Sequence, residues 1–72
     1  MLIELTNQEK IDLINHKINF WQGLIDNGAN LVKKLTEAGP EAKEKLYQAL
    51  QDIEDRKAKI AALQQILKDL TA

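Results

Sequence analysis

Residues 15 to 30 read NHKINFWQGLIDNGAN, and they carry the side chains best equipped for recognition. Placed on a helix at about 100° per residue, His16, Asn19, Phe20, Gly23, Asn27 and Asn30, with Lys34 beyond them, fall within about 50° of one line. Amides both donate and accept hydrogen bonds, glycine admits a close neighbour, and the phenyl ring offers a stacking face. Solvent faces of helices normally carry Lys, Glu, Gln and Arg, which are soluble and good helix formers. Asn and Gly are poor ones, so this stripe gives up helix stability. Three readings compete: ordinary surface of weak propensity, a helix–helix interface of small and amide residues, or a pocket for a small polar ligand such as a nucleotide.

Arg56 and Lys57 form the second chemically notable pair. Arg56 stands where an apolar residue belongs in the pattern of its helix, and a partly buried guanidinium needs an acceptor. A structural role would pair it with Asp26, Glu54 or an acid of another subunit, fixing register. A functional role would make Arg56 and Lys57 an anion site near the level of Asn19, Gly23 and Asn27, since antiparallel counting sets Arg56 opposite Gly23.

Catalysis has little to build on. The chain holds no cysteine and one histidine, His16, and no nucleophile–base pair, Gly-rich phosphate loop or metal-ligand cluster. Neither enzyme activity nor a cofactor nor a metal is expected. Glu37, Glu41 and Glu44 read as charges around a helix start, where carboxylates favour the dipole. A net charge of −1, from 10 basic and 11 acidic residues, supplies no field for nucleic acid and no polybasic membrane signal. MLIELTNQEK at the start lacks the form of a signal peptide, and no apolar run approaches the ~18 residues of a membrane span. The expectation is a cytoplasmic protein.

These residues must be positioned by helices. Thr6-Asn7-Gln8-Glu9 has the form of a capping box. Gly39-Pro40 matches a glycine past one helix end and a proline opening the next. One domain, 1–72, follows, with helix 1 over about 6–38, a turn at 39–40 and helix 2 over about 41–70. Ile11, Ile14, Ile18, Trp21, Ile25, Gly28, Val32 and Leu35 alternate steps of three and four, and Leu46, Ala49, Ile53, Arg56, Ile60, Leu63, Leu67 and Leu70 answer them. Such seams specify an all-α antiparallel hairpin with a shallow left-handed crossing. Facing residues should sum to about 79 in this hairpin, setting Trp21, as a core residue, against Ala58, Ala61 and Ala62, and Gly28 against Leu50 and Ile53. Asn27-Gly28 is a turn dipeptide, but the seam keeps its phase across it, so a continuous first helix is expected.

Helix 1 is too apolar for one neighbour. Leu13, Phe20, Leu24 and Leu31 make a second row beside the seam, and the combined arc covers roughly half the circumference, wider than a two-helix contact buries. The row predicts an oligomer interface through Leu13, Leu24 and Leu31, a dimer forming a four-helix bundle being the simplest solution and a larger helical oligomer the alternative. In plan the chain resembles the plasmid-encoded RNA-binding hairpins that dimerise into four-helix bundles. Those present a basic and aromatic face to RNA, whereas the bases here are scattered. Phe20-Trp21-Gln22-Gly23 also holds the W-x-G of a secreted helical-hairpin family. That motif forms the turn there and lies in mid-helix here. The sequence therefore predicts a non-enzymatic, homo-oligomeric helical interaction protein, an adaptor, assembly factor or small inhibitor presenting a helix face to a protein partner. The alternative is sequestration of a small anionic or nucleotide-like ligand between subunits; RNA binding ranks below both.

Overall fold

The computed structural model describes residues 4–72 and is, among them, helical with short irregular ends and junction and no strand. Helix α1 runs Asn7–Ala38, a single 3₁₀ turn covers Pro40–Ala42, and helix α2 runs Lys43–Thr71. The two long helices pack against each other as a hairpin.

Each end of α1 has an identifiable cause. Thr6 lies in the extended region, and its hydroxyl accepts from the Glu9 amide at 3.1 Å while the Glu9 carboxylate accepts from the Thr6 amide at 3.1 Å. Two otherwise orphaned donors are satisfied by this reciprocal pair. At the other end Gly39 takes φ +87°, a conformation that a Cβ would strain. Its amide donates to the Thr36 carbonyl at 3.4 Å. Pro40 then opens the next turn, which closes with the Ala42 amide on the Gly39 carbonyl at 3.2 Å. That i→i+3 bond tightens the first turn to 3₁₀ form, so α2 begins at Lys43, three residues after the proline.

Helix α1 passes through Asn27-Gly28 without a break. Gly28 is buried, and a Cβ added there would lie 3.0 Å from Ile53 Cγ1 and 3.5 Å from Arg56 Nη1. The glycine marks the place where α2 leans on the backbone of α1, and packing overrides the turn preference of the dipeptide.

Every residue of both seams is buried or half-buried, joined by Leu24 and Asp52. The interior is thin all the same. Ala42, Ala49 and Ile60, with Gly28, are the only residues classed as buried among those described, and no side chain is fully enclosed. The molecule measures 52 × 26 × 16 Å, one layer of helices deep. Trp21 shows the result. It is half-buried in the seam, as most seam residues are; Phe20 packs edge-on at 5.4 Å between centroids, and the Lys59 ammonium lies 4.3 Å from its ring centre. Ala58, Ala61 and Ala62 are exposed. The Lys59 ammonium, carried on a four-carbon stem, caps the indole.

Candidate interaction surface

The recognition stripe is solvent-facing. His16, Asn19, Phe20, Gly23, Asn27 and Asn30 are all exposed on α1. None of their polar side chains enters a hydrogen bond among the described residues, and a Cβ at Gly23 would meet nothing within 4 Å. The glycine there thus has no packing reason inside the hairpin.

Five glutamines on other faces are provided for locally. Gln8 donates to Asp12, Gln22 to Asp26, Gln48 to Asp52, Gln51 to Asp55 and Gln65 to Asp69, at 2.9 to 3.3 Å. Each amide and carboxylate sits one helical turn apart, worth about 0.2–0.5 kcal/mol per pair in an isolated helix. The Q-x-x-x-D spacing announces this ladder in the sequence, although attention to the apolar seams passes over it.

Within its own chain Arg56 reaches neither Asp26 nor Glu54. It is half-buried, and its Nη1 donates to the Leu24 carbonyl at 3.3 Å. Among the described residues no acid takes it: Asp26 receives Gln22, and Glu54 lies 4.0 Å from Lys57 in a pair exposed on both sides. The register count is sound, since Leu24–Arg56 and Trp21–Lys59 both sum to 80. Its facing assignment is not. Gly23 sits one residue from Leu24, about 100° around the helix, and turns away from α2. The guanidinium therefore lies against Leu24 and Gly28 in the seam, Lys57 points to solvent, and the two do not converge with the amide stripe into an anion site.

The second apolar row is largely uncovered. Leu13 is 53 % exposed, Phe20 54 % and Leu31 48 %, while Leu24 between them is half-buried. Leu31 and Leu35 continue into an open groove of about 230 Å³, bounded on α2 by Lys45, Gln48, Ala49 and Asp52. That volume is below the ~300–1,000 Å³ usual for small-molecule sites. Heptad steps carry the α2 side of this face from Lys45 and Asp52 to Lys59 and Ile66, of which Ile66 alone is a large exposed apolar residue. Tyr47 and Leu50 are also exposed, but lie around the other flank of α2. Among the described residues no group of three or more His, Cys, Asp or Glu side chains is placed to hold a metal ion, and no helix is long and apolar enough to cross a membrane. Set against known proteins, the chain matches no family model, no curated protein and no solved structure.

Proposed function

We propose that this chain is a non-enzymatic interaction protein whose hairpins self-associate, a dimer forming a four-helix bundle, and which offers its amide stripe to a protein partner as an adaptor, assembly factor or small inhibitor. The exposed row Leu13, Phe20, Leu31 carries this reading. Its energetic weight can be sized. The chain exposes 5873 Å², against about 4,500 Å² for a typical folded monomer of this mass. The surplus is roughly 1,300 Å² per chain, or about 2,600 Å² for a pair, inside the 2,000–5,000 Å² buried by obligate homodimers.

The stripe supports the second half of the reading. Five glutamines elsewhere on the surface are each bonded to an aspartate of their own helix, whereas Asn19, Asn27 and Asn30 keep their donors and acceptors free among the described residues. Sedimentation over a range of concentrations tests the assembly. Wild-type chain is expected to sediment as an oligomer at micromolar concentration, and Phe20→Asp as a monomer. Phe20 burial is worth about 1.5–3 kcal/mol, and a carboxylate in its place adds a desolvation penalty. A wild-type chain that sediments as a folded monomer refutes the proposal.

A further inference from the structure

The exposed row of α1 has a symmetry that bears on how two copies would meet. At alternating steps of four and three it reads Leu13, Lys17, Phe20, Leu24, Asn27, Leu31. Read in either direction the order is apolar, polar, apolar, apolar, polar, apolar. The paired positions 13 and 31, 17 and 27, and 20 and 24 share one sum. We infer that α1 pairs with α1 of a second copy of this chain, antiparallel, about a twofold axis passing between Phe20 and Leu24. This inference rests on the self-association proposed above and specifies its geometry; it takes Phe20 and Asn27 into the dimer and leaves His16, Asn19, Gly23 and Asn30 of the stripe for a protein partner.

In that register Leu13 meets the partner's Leu31, Phe20 meets the partner's Leu24, and Lys17 meets the partner's Asn27. Apolar side chains pair only with apolar ones, and the ammonium finds an amide oxygen to accept from it. Antiparallel coiled coils pair the two seam positions of one helix with the opposite positions of the other, which is the alternation found here. Competing arrangements are worse on charge and on burial. A parallel pair sets Lys17 against the partner's Lys17 and Asn27 against the partner's Asn27. Sliding the antiparallel pair by one heptad one way sets Lys17 against Phe20, and the other way sets Lys17 against Lys34 and Leu24 against Asn27. Each places a charge or an amide where this register places a matched group.

Helix α2 makes a poorer partner for the row. Its matching positions on the same face are Lys45, Asp52, Lys59 and Ile66, three of them charged. Gln48 and Asp52 are moreover already bonded to each other. Two α1 helices therefore form the centre of the assembly, and the α2 helices form its charged rim. The surface surplus of about 1,300 Å² per chain leaves room for this pairing with some to spare.

The chain has no cysteine, so introduced thiols report pairing without interference. Lys17→Cys and Asn27→Cys alter exposed positions and leave the apolar row intact. The two variants are prepared separately, unfolded, mixed, refolded and oxidised under mild conditions. Cross-linked dimer is expected in the mixture, up to the fraction set by random pairing, and not in either variant alone. Equivalent positions are ten residues out of register in this dimer, an axial offset of about 15 Å, beyond the ~7 Å Cα separation that a disulfide spans. Leu13→Cys mixed with Leu31→Cys should repeat the pattern, and helical circular dichroism of each variant establishes that it has folded. Cross-linking of each variant alone, or none in either mixture while sedimentation shows a dimer, overturns the antiparallel pairing and leaves self-association standing. A folded monomer at every concentration removes both.

Discussion

Two glycines of α1 look equivalent in the sequence and differ in what surrounds them. Gly28 sits under Ile53, whose Cγ1 would lie 3.0 Å from an added Cβ, and Gly23 faces open space. Alanine gains up to about 1 kcal/mol over glycine in a helix interior. Gly23→Ala should therefore stabilise the chain by about 0.5–1 kcal/mol in urea denaturation. Gly28→Ala should fall short of that gain, because Ile53 must shift by a few tenths of an ångström to admit the methyl. The difference between the two measures the cost of moving Ile53 away from the backbone of α1 at Gly28. An equal gain at both positions would mean that Ile53 moves freely. Gly23 was legible in the sequence as a residue without a helical reason. That Gly28 is a contact residue followed only from its place in the seam.

Arg56 raises the corresponding question for the pairing of elements. As a register device it would be held by a carboxylate, and breaking a buried ion pair costs about 3–5 kcal/mol. In the hairpin it instead reaches the Leu24 carbonyl, an oxygen already placed to accept the Gly28 amide as part of the helix. Removing the guanidinium orphans nothing, and Met keeps most of the stem. Arg56→Met is expected to change stability by no more than about 1 kcal/mol in chemical denaturation. A loss of several kcal/mol would point to an acid supplied by another subunit. Most of the architecture could be read from the chain, because the 3-4 alternation in both helices and the Gly39-Pro40 break depend on spacing alone. Facing was harder. Trp21 acquired a lysine cap and Arg56 a backbone acceptor because one residue of helix turns a side chain through about 100°. A register count correct to one or two residues still misassigns partners.

For the whole molecule the governing quantity is surface. A hairpin 16 Å deep cannot enclose any large side chain, and the few residues below a tenth exposed are mostly alanine and glycine. Stability of a self-associating chain depends on protomer concentration. The thermal midpoint of the wild-type chain should rise with concentration, measured by circular dichroism, whereas that of Phe20→Asp should be lower and independent of it. A midpoint independent of concentration in both would leave the exposed row without a role in stability. The candidate surface was legible in the sequence as a second apolar row and a run of amides, since exposure follows from the wheel once the seam is assigned. In the proposed assembly, what the amides contact lies with a partner, and the residues of one chain encode only their own half of that contact.

The turn at Gly39 also has a kinetic consequence. Because α1 and α2 return along each other, the partners nearest the glycine are separated by few residues and those at the open end by most of the chain. Closing a short loop costs less entropy than closing a long one, so the hairpin can zip from Val32 and Leu46 outward. Each new rung is then a local step from the one before. Ile11 and Leu70, at the far end, would be the last to engage when the chain collapses and the first to let go when it opens.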